Sequence, residues 1–266
     1  MRLSDFKGHW ALVTGASSGI GEEFAAQLAQ AGVRLVLVAR REERLLAVVQ
    51  RLREQYGVEA RAIVADLADV TAVARIRDEL DGEGIRIRLL CNNAGAGRWG
   101  RFEATDARVY DELNTLNTTT LVATCRRFFD HLAAFPSSAV INVSSAAAYQ
   151  PVPFMAVYAA SKAFVQSFSQ ALHGEWKEHG ILVQTLVPGP TDTEFDAKAG
   201  AYESALAVGR DAPADVVRAS LAALERGAPV VNAARGTYKQ RVFAGLAPPA
   251  MVIREVGKMF RPPGSE

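Results

Sequence analysis

The stretch "VYAASKAF", residues 157–164, places a tyrosine and a lysine four positions apart, Tyr158 and Lys162. Four residues is close to one helical turn, so on a helix the two side chains lie on the same face and approach each other. The same spacing also occurs on amphipathic surface helices that carry no chemistry. The rest of the chain has to decide between a reactive pair and a structural one.

The chemistry open to this pair is proton transfer. Tyrosine is a poor base at neutral pH because its reference pKa is about 10. An ammonium at ~4 Å, in an effective dielectric of ~20, favours the phenolate by about 4 kcal/mol before the cost of burying the charges. That energy corresponds to lowering the pKa by up to ~3. If the pair is reactive, we therefore expect Lys162 to lower the pKa of Tyr158.

Short apolar runs alternate with longer segments of helical periodicity along the whole chain. The predicted strands are "ALVTG" from 11, "RLVLVA" from 34, "ARAIVA" from 60, "RIRLLC" from 86, "AVINVS" from 139, "ILVQTLV" from 181 and "PVVN" from 229. Such alternation is typical of parallel strands joined by helical crossovers, and strands that are apolar on both faces fit burial between two helical layers. We predict an α/β fold with a three-layer, doubly wound parallel sheet, similar to a Rossmann fold.

The alternation runs on without a low-complexity linker or repeat, so the simplest count is one domain over residues 1–266. A Gly-, Ala- and Pro-rich segment after the sixth strand predicts a substrate lid around 190–212, where ligands bind in such sheets. A C-terminal extension around 236–266 contains an apolar stretch at 242–260. We interpret that stretch as a helix over a site or a subunit interface, with peripheral membrane contact as the alternative.

The composition narrows the classes of partner. With 30 basic and 29 acidic residues the net charge is +1, which argues against nucleic acid or an anionic membrane surface as a partner. No run of 18 uncharged apolar residues predicts an integral membrane segment. Cys91 and Cys125 lie in apolar runs outside any Cys/His cluster, so we expect no metal site. We expect both to be buried thiols in a reducing compartment, and the protein to be cytoplasmic.

A glycine-rich loop follows the first strand directly. The segment "TGASSGIG", residues 14–21, has the spacing GxxxGxG through Gly15, Gly19 and Gly21, a variant of the dinucleotide fingerprint. Missing side chains permit the tight turn and let the backbone approach a pyrophosphate, while the helix that follows offers free N–H groups and a positive dipole end. Because strand, loop and amphipathic helix come in the required order, we predict a dinucleotide site.

The end of the second strand indicates which dinucleotide is bound. Folds that prefer NAD usually carry an acidic residue there to bind the ribose hydroxyls, and this chain has Ala39 followed by Arg40 and Arg41. A guanidinium pairs bidentately with a 2′-phosphate, so we predict NADP(H) with Arg40 as the primary contact. The alternative is that "RREER" is only the solvated first turn of a helix.

Five motifs occur together in a family order: "TGASSGIG", "NNAG" at 92–95, "NVSS" at 142–145, "YAASK" at 158–162 and "PGPTDT" at 188–193. In these the chain resembles the short-chain dehydrogenases/reductases of the compact single-domain type, over about residues 8–235. The resemblance implies hydride transfer between a nicotinamide and a carbonyl or secondary alcohol. It also implies a homo-oligomer, which the apolar content of the segments 113–134 and 155–179 supports.

The resemblance assigns roles to individual residues. Ser145, which lies 13 positions before Tyr158, would polarise the carbonyl, Tyr158 would transfer the proton, and Lys162 would hold the nicotinamide ribose. Asn117 would anchor a proton-relay water, although it could equally only kink its helix. Ser144 would make structural hydrogen bonds instead. The resemblance implies that Asp66 and Leu67 border the adenine, that Asn93, Ala94 and Gly95 support the cofactor and adjoining backbone, and that Thr193 holds the nicotinamide carboxamide. The implied cofactor-binding residues are Gly15, Ser17, Ser18, Gly19, Ile20, Gly21, Arg40, Asp66, Leu67, Asn93, Ala94, Gly95, Tyr158, Lys162, Pro188, Gly189, Thr191 and Thr193.

Several alternatives remain open at this level. Asp66 could be only the N-cap of the next helix. Tyr149, Phe154 and Met155 could line an apolar substrate site or belong to the core. The expected function is NADP(H)-dependent reduction of an apolar ketone or aldehyde. The alternatives are a non-catalytic NADP-binding regulator, or an epimerase or dehydratase of the same family, which would usually have a longer C-terminal substrate domain.

Overall fold

The computed structural model describes residues 1–200, 209–233, 242 and 244–262. Seven parallel strands form one sheet in the order β3-β2-β1-β4-β5-β6-β7. The strands are β1 Trp10–Thr14, β2 Arg34–Ala39, β3 Ala60–Val64, β4 Ile87–Asn92, β5 Ser138–Val143, β6 Ile181–Val187 and β7 Val230–Asn232. Each predicted strand is present, with bounds that differ from the prediction by no more than one residue at either end.

Helices cover both faces of this sheet. They are α1 Gly19–Gln30, α2 Glu42–Tyr56, α3 Ala72–Gly82, α4 Ala107–Asn114, α5 Thr120–Ala133, α6 Ala156–Trp176, α7 Phe195–Ala199, α8 Pro213–Leu224 and α9 Pro249–Phe260. Buried side chains of α1, α2 and α8 pack on one face, and those of α3, α5 and α6 pack on the other. The predicted three-layer α/β arrangement is therefore confirmed.

The strand order places a crevice at the carboxyl edge of the sheet. β1 lies between β2 and β4, so the chain leaves β1 toward β3 on one side and later crosses to β4 on the other. Loops that follow β1 and β4 diverge at this switch point, which is where open α/β sheets bind ligands. Because every described strand runs in the same direction, the loops after β5 and β6 open on the same edge.

After β6 the chain leaves the sheet in an excursion whose two ends meet at a single bridge. Thr191 and Asp211 form an isolated parallel bridge, and the Asp211 N–H donates to the Pro190 carbonyl at 2.9 Å. Helix α7 lies within this excursion. Part of the predicted lid, residues 201–208, lies outside the described residues, so the name post-β6 segment is used below for residues 188–200 only.

The C-terminal extension is described in part, since residues 234–241, 243 and 263–266 lie outside the described residues. Helix α9 begins with Pro249 in its first turn, where a missing N–H costs nothing. Val252 and Val256 on its inner face pack in a cluster with Tyr158, as the sequence interpretation of a helix over a site predicts. Within the described parts of the chain, no helix has the length and apolarity needed to cross a bilayer.

Candidate active site

The glycine loop is built so tightly that side chains cannot replace its glycines. A Cβ on Gly21 would lie 2.3 Å from the Gly15 carbonyl oxygen, and a Cβ on Gly15 would lie 2.8 Å from Asn93 Nδ2. Gly15 and Gly19 also have positive φ angles of 67° and 58°. The Asn93 amide donates to the Thr14 carbonyl at 2.9 Å, so the predicted support from "NNAG" is a bond to the backbone of the loop.

The helix start behind this loop is open to an anion. The side chain of Ser18, the N-cap of α1, accepts no hydrogen bond from the first turn of α1. The N–H groups at this end, together with the helix dipole, are therefore available to phosphate oxygens. A cleft of about 700 Å³ opens beside the loop, between α1, α2 and the post-β6 segment. The glycine cradle and the helix start fit the pyrophosphate of a dinucleotide.

Two arginines after β2 point in different directions. Arg41 reaches back to the glycine loop, where its Nη2 lies 2.8 Å from Ser18 Oγ and 3.2 Å from the Ser17 carbonyl oxygen. Arg40 is more exposed and forms a loose ion pair with Asp66 at 3.6 Å. Arg41 is thus a candidate contact that the sequence reasoning passed over in favour of Arg40, although both belong to the same "RREER" signal.

Asp66 and Leu67 follow β3 at the same edge. The N-cap of α3 is Thr71, so the alternative role of Asp66 as the cap of the next helix is wrong. Its carboxylate instead accepts the Ala68 N–H at 3.0 Å, in a local turn. The Leu67 carbonyl accepts the hydroxyl of Thr120, which ties this loop to the start of α5. A role of either residue beside an adenine stays a prediction.

Ser145, Tyr158 and Lys162 come together at the carboxyl edge. Ser145 follows β5 and hydrogen-bonds Tyr158, while Lys162 lies one turn further along α6 with its Nζ 5.8 Å from the centre of the Tyr158 ring. Nζ also donates to the Val143 carbonyl at 2.9 Å. Ser144 Oγ donates to the Lys162 carbonyl at 2.8 Å, which is the structural role expected of it.

Burial, rather than mutual attraction, controls the protonation of this pair. Tyr158 is 8% exposed and Lys162 is 5% exposed. Burial raises the pKa of Tyr158 to about 12, against a lowering by the Ser145 hydrogen bond. Burial lowers the pKa of Lys162 to about 8. The expectation of a lowered Tyr158 pKa is therefore wrong for this structure, because the cost of burying the phenolate, to which the Asp196 carboxylate adds, exceeds the lowering by Ser145.

A stability test follows from the buried lysine. The native pKa of Lys162, about 8, lies below its ordinary value of 10.5, so the unfolded chain binds this proton more strongly. The resulting penalty is complete below pH 8 and fades as the pH rises toward 10.5. Lys162→Met removes a gross penalty of about 3 kcal/mol and a hydrogen bond worth about 1 kcal/mol.

We therefore expect Lys162→Met to raise Tm by several degrees at pH 7 and by less at pH 10. Thermal unfolding of both proteins at the two pH values measures this difference. A variant that is less stable than the parent at pH 7 would contradict the prediction, and so would a gain that does not change with pH. Turnover is expected to fall in the same variant, because the charge beside Tyr158 is lost.

Asn117 lies in a five-residue π-helical segment, Thr115–Thr119, between α4 and α5. Its amide nitrogen donates to the Ala96 carbonyl and to Ser161 Oγ, both at 2.9 Å, and its oxygen accepts the Ala96 N–H at 2.9 Å. A Cβ on Gly95 would lie 3.2 Å from Lys162 Nζ and 3.3 Å from Asn117 Oδ1. The structure thus brings Asn117 close to Lys162, although Asn117 lies in a π-helical turn. Its water-anchoring role stays a prediction.

The post-β6 segment contacts both the turn after β5 and the glycine loop. The Pro188 carbonyl accepts the Ala146 N–H at 2.8 Å, which fixes this segment to the turn after β5. Thr191 Oγ1 donates to the Gly189 carbonyl at 2.9 Å. A Cβ on Gly19 would lie 2.9 Å from the Thr193 methyl group, so Thr193 rests directly on the glycine loop. This contact puts the residue predicted to hold the carboxamide within reach of a bound dinucleotide.

Apolar side chains, called the apolar wall below, pack around the buried Tyr158 ring. The buried members of this wall share one cluster with the tyrosine ring: Trp99, Val152, Met155, Ala159, Val252 and Val256. The Phe195 ring packs on Tyr158 with centres 5.2 Å apart, and a Cβ on Gly97 would lie 2.6 Å from Phe195 Cζ. Of the three bulky residues singled out in the sequence, Met155 and Phe154 join this wall, with Phe154 at a φ of 68°. Tyr149 instead donates its hydroxyl to Asn232 at 2.6 Å.

Sequence reasoning missed Trp99 and Phe195 as neighbours of Tyr158, although it expected a C-terminal helix over a site or a subunit interface. Trp99 Nε1 donates to the Phe260 carbonyl at 2.8 Å, and the two rings lie 5.3 Å apart. A signal was available, since "NNAGAGRWG" and "PGPTDTEF" carry bulky aromatics just after motifs of the site. Both loops leave strands at the edge where the tyrosine lies.

Known proteins resemble the chain in sequence and in structure. A family model described as short chain dehydrogenase matches residues 9–204. A very-long-chain 3-oxoacyl-CoA reductase of Anas platyrhynchos is 37% identical over 186 residues, which cover 68% of this chain and 59% of the relative. The chain thus spans about 59% of the length of this curated relative and of similar ones.

Two solved structures show the same arrangement of the chain. A short-chain dehydrogenase from Sphingobium yanoikuyae in complex with NADPH superposes with a TM-score of 0.80 at 35% identity, over 90% of this chain and 94% of the other. A bulky-bulky ketone specific alcohol dehydrogenase from Comamonas testosteroni gives a TM-score of 0.74 at 32% identity, over 84% and 85% of the two chains.

Proposed function

The chain belongs to the short-chain dehydrogenase/reductase family, and from that premise we propose that it is an NADP(H)-dependent oxidoreductase that reduces a bulky apolar ketone or aldehyde. The observation that carries the proposal is the convergence of Ser145, Tyr158 and Lys162 at the carboxyl edge, beside a glycine cradle that fits a dinucleotide. A pure nucleotide binder would need none of these three side chains.

The chain's own residues supply the acid chemistry. When bound, the nicotinamide would supply the hydride in reduction or accept it in oxidation. The substrate carbonyl gains negative charge on its oxygen, and the Ser145 hydroxyl donates a hydrogen bond to that oxygen. Tyr158 donates its proton there, because burial keeps the phenol protonated at neutral pH. Lys162, with a pKa near 8 and its Nζ 5.8 Å from the centre of the tyrosine ring, would restore that proton through a relay water that Asn117 anchors.

The substrate side favours large apolar substituents. Trp99, Met155 and Phe195 give the tyrosine an apolar neighbourhood, which suits a carbonyl flanked by aliphatic or aromatic groups. The similar proteins carry names that agree with this chemistry, a 3-oxoacyl-CoA reductase and a bulky-bulky ketone specific alcohol dehydrogenase. A 3-oxoacyl thioester or a bulky ketone is therefore the substrate class we propose.

A spectrophotometric screen tests the proposal. NADPH oxidation at 340 nm is followed with bulky aryl ketones, 3-oxoacyl thioesters of increasing chain length, steroid ketones and small aldehydes as a size control. We expect turnover to rise with apolar size. NADPH binding without oxidation of any compound would favour the alternative of a non-catalytic regulator, and substrate inversion without net oxidation would favour an epimerase.

The preference for NADP(H) is tested by the two arginines after β2. Arg40→Ala and Arg41→Ala are each expected to weaken NADPH binding about 10- to 100-fold, since each removes a charge-assisted bond to the 2′-phosphate. NADH lacks that phosphate, and its Kd is expected to change less than threefold in Arg40→Ala; in Arg41→Ala it is expected to change less than the NADPH Kd does, since Arg41 also holds the glycine loop. Fluorescence titration with both cofactors gives the comparison. Equal effects on NADPH and NADH would contradict the assignment.

Three further features belong to the same proposal. A single domain with a lid and a homo-oligomeric assembly are expected from the resemblance, and exposed Phe164 on α6, stacked on the partly buried Phe168, offers apolar surface for a second copy. A cytoplasmic location is supported by Cys91 and Cys125, which are both free and buried.

A further inference from the structure

Glu194 holds together three cations around the glycine loop. Its carboxylate accepts from Arg41 Nη1 at 2.8 Å, from Lys198 Nζ at 2.7 Å and from Arg44 Nη1. Arg41 and Arg44 belong to the start of α2, whereas Glu194 and Lys198 belong to the post-β6 segment. These cations hold the pKa of Glu194 well below its usual range, so the carboxylate is charged at any physiological pH.

The guanidinium of Arg41 is already fully engaged. Its Nε and Nη2 face Ser17 and Ser18 on the glycine loop, and its Nη1 donates to Glu194. The side that does not face the loop is the side on which a 2′-phosphate would have to pair. A phosphate dianion there would lie next to the Glu194 carboxylate, with like charges sharing one guanidinium.

We propose that Glu194 competes with the cofactor's 2′-phosphate for Arg41 and Arg44, and so sets how strongly the site prefers NADP(H) over NAD(H). This inference rests on the proposed function, because it assumes that a nicotinamide dinucleotide binds along the glycine loop. The carboxylate acts as an internal anion that a 2′-phosphate has to displace from the two arginines. A cofactor without that phosphate leaves the Glu194 ion pairs in place.

The position of Glu194 in the chain connects its ion pairs to the active site. Glu194 follows Thr193, which rests on the glycine loop, and precedes Phe195, which packs on the catalytic tyrosine. Displacing the carboxylate therefore loosens the post-β6 segment at the residue between its two contacts with the site. Solvent-exposed ion pairs add little to overall stability, and Glu194 is 40% exposed. Its main effect is thus expected on cofactor choice and not on folding.

The experiment uses fragments of the cofactor that cannot transfer hydride. Binding of 2′,5′-ADP and of 5′-AMP to the full chain is measured by calorimetry for the parent and for Glu194→Gln, which keeps the shape and removes the charge. We expect the Kd of 2′,5′-ADP to fall on the order of tenfold, as removal of one nearby like charge allows. The Kd of 5′-AMP should stay within about twofold, and the difference should shrink at 1 M salt.

Glu59→Gln serves as the matched control. Glu59 is also an exposed ion-paired glutamate, bound to Arg34 Nε at 2.9 Å at the amino edge of the sheet. This control variant should bind both fragments as the parent does, and melting curves check that all three proteins are folded. A tighter 2′,5′-ADP complex in the Glu59 variant would mean that net charge alone explains the effect, and it would overturn the proposal.

The remaining outcomes distinguish a failure of the Glu194 competition from a failure of the proposed function. If NADPH binds the parent and Glu194→Gln leaves the 2′,5′-ADP Kd unchanged, the competition is overturned while the proposed function stands. Weaker binding of 2′,5′-ADP in that variant would show instead that Glu194 orients Arg41 for the phosphate, which also overturns it. If no nicotinamide dinucleotide or fragment binds either protein, both the inference and the proposed function fail.

Discussion

Replacing Tyr158 by Phe is expected to lower kcat by ~10²–10⁴-fold or more while NADPH affinity changes less than about twofold. The ring lies in the apolar wall and is 8% exposed, so Phe keeps its packing against Phe195. Only the hydroxyl is lost, and with it the hydrogen bond to Ser145 and the proton for the substrate oxygen. A residue that acts only in the chemical step lowers kcat without weakening the binary complex.

The measurements are kcat on a substrate from the screen and the Kd of NADPH by fluorescence. Tyr110→Phe is a suitable control, because the Tyr110 hydroxyl donates to the nearby Phe102 carbonyl at 3.3 Å, just before α4. Its turnover should equal that of the parent. Turnover of Tyr158→Phe within threefold of the parent would make this tyrosine a packing residue and would favour the regulator.

Gly21→Ala is expected to abolish cofactor binding and to destabilise the fold. The added Cβ would lie 2.3 Å from the Gly15 carbonyl oxygen and 2.4 Å from Asn93 Nδ2. Gly15 and Asn93 hold the loop through backbone contacts, so relief requires α1 to move away from the sheet. Such overpacking costs about 1–3 kcal/mol and lowers Tm by several degrees. NADPH affinity should fall at least about tenfold, since the N–H groups of the loop shift with the helix.

A second glycine provides the comparison. Gly174 is exposed on α6, and a Cβ there meets nothing within 4 Å. Gly174→Ala should stabilise the protein by about 0.5–1 kcal/mol, because alanine loses less backbone entropy in a helix, and it should bind NADPH as the parent does. A Gly21→Ala variant with the parental Tm and Kd would show that the loop accommodates a side chain at this position. It would contradict the steric explanation for the glycine spacing.

The features that the sequence predicts well are those that the backbone itself requires. Gly15, Gly19 and Gly21 are needed because no side chain fits the turn, so a spacing pattern is sufficient to find them. The strands are apolar on both faces because helices cover both, which makes "RLVLVA" and "AVINVS" recognisable without a structure. The α6 pair also follows from spacing, since one helical turn separates Tyr158 from Lys162.

What the sequence could not supply depends on the balance of forces in the folded chain. Arg40 and Arg41 are neighbours of the same type, and only the start of α2 decides which one faces the glycine loop. The pKa of Tyr158 depends on burial by Phe195 and other distant residues, which outweighs the lowering by nearby Ser145. Glu194 reaches its partner Arg41 across 153 positions of sequence, a distance over which no periodic pattern carries information.

Because Trp99 contacts α9, docking of this helix can be followed by tryptophan fluorescence. Trp99 is 4% exposed, and its ring lies against Phe260 in the cluster that contains Tyr158. The other two tryptophans, Trp10 at the start of β1 and Trp176 at the end of α6, lie at the opposite edge of the sheet. Undocking of the C-terminal helix would expose one indole to water and shift its emission to the red. The shift of Trp99 emission, measured against the emission of Trp10 and Trp176, therefore reports in real time and without a label whether α9 covers the Tyr158 side of the site.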